Sequence, residues 1–578
     1  MADRSGHHRS GALSPARKPR RRPFRSAGRG CPDHAAGNPV PLRFVHPLPR
    51  ASGHAGRVSG HVSSCLYVPC FRLPMNTARA VTSGLSLRTR MGWLHAWVGF
   101  VCGLLLLCIF ITGTLAVFDT EITRWMQPEF TGGSLARPSD AALARASALV
   151  SEQEAQHHRV SVTLPSARDP VLRVVQPEGM DVITTAIDPV TGEVLNLRKT
   201  VGGTLFFRFH YTLRMGRMFG VVLVEALGIG LLVTLGSGLV IHLRALVPNL
   251  VMFRPNGASP RAWMDAHVIA AVLFLPFTFM VAWTGVVIHA DRIFPFTAET
   301  RQEGGGGPPG RGQHGHHRDA LPIPALGPIL DDATQLFGEG GTGFLQFSPR
   351  SVSVMRSDAS TLPQTRDRAE YDRRTGKRLK VTRQRSGPAQ TRQVMTGLHM
   401  AHWAPTPMRW LYFLSGIAGS VMFGTGLVMF LLKRRRTATS RHFLALVLAE
   451  GLTLGTVIGL PVACAAVLWA NRLVPASLTD RMTTESACLF LVWGICVVHA
   501  LARALQKHVL HGWREQAALL AVLLCLLPAL DIATRWQWLG QQKQWDYLGV
   551  DAATLMLGLM VLRGCVFLGR SIKREAVK

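Results

Sequence analysis

Apolar positions in this 578-residue chain gather into runs of about twenty with few or no charges, separated by polar stretches. In hydrocarbon every backbone N–H and C=O must be bonded within its own segment, so such runs read as membrane-spanning helices. They predict eight spans, over residues 92–118, 218–242, 266–290, 411–432, 443–470, 485–505, 515–533 and 546–568. Two long stretches between spans have a different period. Residues 160–200 alternate like strands, as in Val171-Leu-Arg-Val-Val and Val182-Ile-Thr-Thr-Ala-Ile, and then turn at Asp188-Pro-Val-Thr-Gly192. The second stretch repeats the turn as Tyr371-Asp372-Arg-Arg-Thr375-Gly376, before a basic strand-like segment. The expected fold is an all-α polytopic membrane protein of about eight transmembrane helices, with two small α+β outer domains at 119–205 and 291–398.

Charge sets the expected orientation. Arg88 and Arg90 precede the first span, and Arg244, Arg254 and Arg261 lie between the second and third. The run Lys433 to Arg436 with Arg441 follows the fourth, Arg503, Lys507 and Arg514 join the sixth to the seventh, and Arg570, Lys573 and Arg574 follow the last. With eight spans all of these fall on one side, which the positive-inside rule makes cytoplasmic together with both termini. The two outer domains then face the periplasm of a Gram-negative cell. The net charge of +30 has a second source: residues 1–74 hold thirteen Arg or Lys against Asp3 and Asp33, a balance of +11. Such a segment also suits nucleic acid or acidic lipid. Without periodicity it reads as a disordered tail, no nucleic-acid partner is expected, and Met75 is the more natural start. The ten cysteines form no disulfide framework: Cys31, Cys65 and Cys70 lie in the tail, and seven fall within apolar spans.

The first four spans repeat. His95 precedes Thr112-Gly113 by 17 residues, and His267 precedes Thr284-Gly285 by the same 17. Gly236-Ser-Gly238 near the end of span two matches Gly424-Thr-Gly426 near the end of span four. Two helix–domain–helix units follow, at 85–242 and 262–436, with a four-helix extension at 443–578. Trp93-Leu-His95-Ala-Trp-Val-Gly with Thr112-Gly-Thr-Leu-Ala-Val-Phe resembles the first helix of the PepSY-associated transmembrane (PepSY-TM) proteins. The Asp-Pro-x-Thr-Gly turn resembles their PepSY-type periplasmic domains, and Met264-Asp-Ala-His267 and Met408-Arg-Trp-Leu-Tyr-Phe-Leu-Ser-Gly resemble their third and fourth helices. The resemblance covers residues 85–436. It implies a link to bacterial iron uptake, and in some members the reduction of siderophore-held iron through intramembrane haem.

Ionisable groups in lipid are costly, so each intramembrane histidine is a functional candidate. His95, His242 and His267 fall at the cytoplasmic ends of spans one to three, and His210, His289, His399 and His402 at or just outside the opposite ends. Two layers of neutral imidazole on neighbouring helices suit b-type haem, whose iron takes axial nitrogens from facing helices. His95 and His267 are expected to hold an inner haem and His210 and His399 an outer one. His402, His242 and His289 are secondary candidates for the same iron ligation, and a lone histidine at a helix end also serves simply as an interface residue. His314-Gly-His-His317 reads as a solvated loop, and Tyr412 as an interfacial belt residue.

No Walker or Rossmann motif occurs, so no nucleotide or flavin domain is expected, and the absence of C-x-x-C-H argues against covalent haem. An oxidoreductase of the ferric-siderophore reductase type would take electrons from a cytoplasmic donor or membrane quinol. Its partners would be the lipid bilayer and a ferric siderophore or other iron chelate; no catalytic residue is assigned. Two other classes are open at this point: a non-enzymatic iron or siderophore transport or assembly subunit, and a PepSY-type regulatory membrane protein. Against transport, spans five to eight carry few carboxylates, with Glu450 the main one.

Overall fold

The computed structural model describes residues 86–242, 259–293 and 321–576, apart from 131, 135–136, 179–180, 384, 438 and 539–544. The basic tail 1–74, the loop His314–His317, Arg244 and Arg254 lie outside the described residues. Among those described, seven helices are long and apolar enough to cross a membrane, or eight if one bent pair counts as a single span. The chain is a multi-pass membrane protein.

Helix α1 (Leu87–Ala116) begins behind Ser86, whose hydroxyl accepts the Thr89 N–H at 3.4 Å. After the short α2 (Asp119–Trp125) the chain forms an extramembrane unit of α3 (Asp140–Ala155) and strands β1 (Ser161–Thr163), β2 (Leu172–Glu178), β3 (Asp181–Ile187) and β4 (Val194–Leu195). It returns through α4 (Thr204–Thr212) into the span α5 (Arg217–His242). The second repeat has the same order. Helices α6 (Ser259–Leu273) and α7 (Leu275–Ile293) are followed by α8 (Leu326–Phe337) and β5 (Thr342–Phe347), β6 (Ser351–Arg356), β7 (Arg368–Asp372) and β8 (Arg378–Thr382). The short α9 (Gly387–Met400) then leads into the span α10 (Thr406–Thr437).

The third span is not straight, as its unbroken apolar run implies, but bends by 65° between Leu273 and Leu275. Pro276 is the cause, since it has no N–H to donate and its ring crowds the carbonyl of the preceding turn. The two predicted turns form as their residues require. Asp188 accepts the N–H groups of Val190 and Thr191, each at 2.8 Å, and Asp372 accepts those of Arg374 at 3.0 Å and Thr375 at 2.7 Å. The following Gly192 and Gly376 sit at φ 78° and 69°, where a Cβ is strained. The Thr375 N–H and hydroxyl bonds hold the Asp372 carboxyl below the usual carboxylate range.

Among the described residues each outer segment forms an α+β unit, with four strands, as its alternation leads one to expect, packed on one principal helix. The sequence does not show that the two are one sheet. All eight strands are antiparallel in the order β4-β3-β2-β1-β5-β6-β7-β8, joined where Val162 of β1 faces Leu345 of β5. Both units feed a single core, in which Leu143, Ala146 and Val150 of α3 meet Ile329, Leu330 and Ala333 of α8 over Val174 and Val354. Pairing β1 with β5 removes two open edges at once.

The C-terminal extension comprises α11 (Phe443–Val457), α12 (Gly459–Leu473), α13 (Arg481–Leu505), α14 (Val509–Arg535) and α15 (Trp545–Ala576), with α11 and α12 forming one broken span. It is anchored to the first repeat by buried polar groups. Arg472 donates to Asp531 at 2.5 Å with both side chains fully buried, and Arg535 approaches the other Asp531 oxygen at 2.7 Å. The Arg472 guanidinium lies 4.1 Å from the Trp125 ring centre, and the Trp125 indole N–H donates to Asp551 at 3.0 Å. Glu485 accepts the Thr200 hydroxyl at 2.7 Å and the Val201 N–H at 2.9 Å. Glu450 therefore has company: Glu485, Asp531 and Asp551 are further buried carboxylates of the extension, and Glu450 itself pairs with Arg435 at 2.7 Å. Asp531→Asn removes the carboxylate that Arg472 and Arg535 share in a buried site, an expected loss of about 3–5 kcal/mol. The unfolding temperature in detergent should fall accordingly, whereas Asp331→Asn, which breaks the exposed Arg137–Asp331 pair, should cost under about 1 kcal/mol.

Candidate functional site

Four histidines meet in two pairs, one pair toward each end of the four-helix repeat unit. His95 on α1 donates its Nδ1 proton to the Thr234 carbonyl of α5 at 2.9 Å, and His267 on α6 donates to the Met422 carbonyl of α10 at 2.8 Å. The two ring centres are 6.2 Å apart. In the other pair His210 on α4 donates to the Ile109 carbonyl of α1 at 2.8 Å. His399 on α9 meets the Thr284 hydroxyl of α7 at 3.0 Å; that hydroxyl is committed to the Met280 carbonyl at 2.6 Å, so it accepts from the imidazole. These ring centres are 6.0 Å apart. Each repeat thus gives one histidine to each pair, and every histidine docks on the other helix of its own repeat.

A carbonyl can only accept, so these contacts place the proton on Nδ1 and leave Nε2 with its lone pair. Each ring also approaches a helix closely at a glycine. A Cβ on Gly238 would stand 3.0 Å from His95, on Gly426 3.1 Å from His267, on Gly285 3.1 Å from His399, and on Gly113 2.5 Å from His210. The Thr-Gly and Gly-x-Gly marks legible in the sequence are therefore docking places for the four rings. The short helices α4 and α9 end in left-handed residues, Leu213 at φ 48° and Ala401 at φ 54°, which turn the chain back into the following span.

Each pair opens on a cavity. The first, about 400 Å³, is lined by His95, His267, His242, Phe423, Lys433 and Arg436 among mostly apolar side chains. The second, about 420 Å³, holds His210, His399, His289, Phe110, Gln364 and Tyr412. Both volumes are typical of cofactor sites. Tyr412, expected as a belt residue, is buried and donates to the Leu398 carbonyl at 2.7 Å. His402 is not in the second lining; its charged neighbours are Asp119, Asp358 and Arg168, and burial pushes it below the usual imidazole range. Close by, burial alone would raise the Glu121 carboxyl, but the Arg168 and Arg409 guanidiniums outweigh it and hold it low.

A bare metal ion asks for three or more protein ligands, and no group of three or more His, Cys, Asp or Glu suited to one occurs among the described residues. A pair of imidazoles would instead suit a metal whose other positions a macrocycle already fills. A metal–imidazole bond is about 2 Å and the ring centre lies about 1 Å beyond, so two imidazoles on one iron have centres roughly 6 Å apart. The observed spacings of 6.2 and 6.0 Å fit that arrangement.

Fold and site together define a polytopic membrane protein built from two helix–domain–helix repeats around paired, partly buried histidines. The chain belongs to the family described as the PepSY-associated TM region, whose model matches residues 92–433. No curated protein matches it.

Proposed function

We propose that this protein is a haem b electron-transfer protein of the bacterial inner membrane, with both termini cytoplasmic. It would carry electrons from a cytoplasmic donor or quinol to ferric iron held by a siderophore or other chelate in the periplasm. One observation carries this reading: four imidazoles form two pairs about 6 Å apart, each Nδ1 tied to a fixed acceptor. Haem, when bound, supplies a one-electron iron couple at each level.

The chain's own residues do the rest. The Nδ1 bonds fix tautomer and ring orientation, so that His95 and His267 present Nε2 in the inner cavity, and His210 and His399 in the outer. Lys433 and Arg436 at the inner cavity suit the carboxylates of a porphyrin. Mostly apolar linings would keep both sites poor in water. Gln364, between β6 and β7, reaches from the sheet domain into the outer lining, so an acceptor held by that domain would meet the outer site directly. Transfer of one electron to ferric iron weakens hard-oxygen chelation, which makes reduction a release step.

Protein purified from haem-replete cells should show two low-spin b-type haems per chain, reduced by dithionite and reoxidised by a ferric hydroxamate chelate. A colourless protein overturns the reading.

A further inference from the structure

The two cavities stack along α1, where Ile109, the acceptor of His210, stands 14 residues beyond His95. At 1.5 Å per residue the two histidine levels are roughly 21 Å apart. A wall of side chains fills the space between. Phe423 of α10 is part of the first lining and Phe110 of α1 part of the second. Their rings touch edge to face, with centres 4.9 Å apart and planes at 61°. Phe423 is 8% exposed and belongs to the central core.

This contact is held by design of the neighbouring backbone. Phe110 lies across Gly419 of α10, where a Cβ would come 2.5 Å from its Cε1. One helical turn away, a Cβ on Gly416 would meet the Thr114 hydroxyl at 2.3 Å, so α1 and α10 approach closely along this stretch. Glycine on α10 therefore admits the ring that closes the gap. An aliphatic pair would fill the wall as well but would not carry a continuous π contact from one lining to the other.

From this we infer that Phe110 and Phe423 are the electron bridge between the inner and outer sites. The inference rests on the haem reading above. One electron, supplied by a quinol or reduced flavin, leaves the inner iron and arrives at the outer iron; no bond forms or breaks and no proton moves. Both residues are positioning residues for transfer, since neither touches iron.

The test is the reoxidation of the inner haem after photoreduction from the Lys433–Arg436 side in proteoliposomes. His399→Ala, which removes the outer acceptor, sets the slow limit. Phe110→Leu and Phe423→Leu remove three carbons each but keep the wall apolar, and should retain both haems and their low-spin signals. They should slow inner-haem reoxidation several-fold toward the His399→Ala limit, and Phe110→Tyr should restore it. Phe118→Leu, which alters a ring outside both linings, should leave the rate unchanged. Unaltered rates in both Leu variants, with two haems present, overturn the bridge and leave the haem assignment standing. Absence of haem from the parent protein overturns the assignment and the bridge with it.

Discussion

Replacement of His95 or His267 by Ala is expected to leave one haem per chain instead of two, and His210→Ala or His399→Ala to do the same at the other level. The two rings of a pair come from different repeats, so losing either leaves the opposite imidazole with an open iron position. The inner variants should lose the inner low-spin signal, or convert it to high spin, while the outer signal persists. That persistence is the informative part. The outer rings dock on Ile109 and Thr284, which lie 14 and 17 residues along the helices from His95 and His267, so they do not lean on the inner pair. The reduced α-band should fall by about half in each single variant. Electron delivery to a periplasmic chelate should stop in all four. Ala in place of His508 or His511, whose rings stand 5.5 Å apart at the start of α14 and line neither cavity, should do none of this. Four unaltered spectra would return the histidines to an interfacial role.

Why these four residues were legible, and others were not, follows from what leaves a local trace. His95 and His267 sit on long apolar helices at equal distances from a Thr-Gly pair, and a repeated polar residue in lipid stands out against its surroundings. His210 and His399 precede their spans by unequal distances to the Gly-x-Gly marks, 26 and 25 residues, which blurred their equivalence. The structure places the irregularity at the ends of α4 and α9: His210 stands three residues before the left-handed Leu213, His399 two before Ala401. His402 looked like a substitute for His399 because it lies one turn on, but the helix stops at Ala401 and turns His402 toward Asp358 and Asp119. The joining of the outer segments had no local trace at all. Strand alternation tells which face is buried and nothing about which edge meets which. The buried ion pairs of the extension were equally hidden, since Arg472 and Asp531 sit near span ends, where solvation at the interface explains charges well enough.

Gly113→Ala should be as damaging to the outer site as loss of His210 itself, and the reason separates packing from ligation. In an exposed helix interior, Gly to Ala favours the helix by up to about 1 kcal/mol. At Gly113 the added methyl would stand 2.5 Å from His210 Nδ1 and 2.7 Å from its Cε1. The ring is pinned at the same nitrogen by Ile109 at 2.8 Å, so it cannot retreat without giving up the bond that sets its tautomer. Gly113→Ala should therefore fold, insert and retain the inner haem, while the outer haem is lost or turns high-spin. Gly236 supplies the contrast within the other motif. A Cβ there meets nothing within 4 Å, whereas at Gly238, one residue pair along, it meets His95 at 3.0 Å. Gly236→Ala should leave both haems in place, and Gly238→Ala should perturb only the inner one, more mildly than Gly113→Ala perturbs the outer. Haem content and the low-spin signals of the three purified variants decide the matter: a Gly113→Ala protein with an intact outer haem would mean that His210 docks elsewhere when the site is filled.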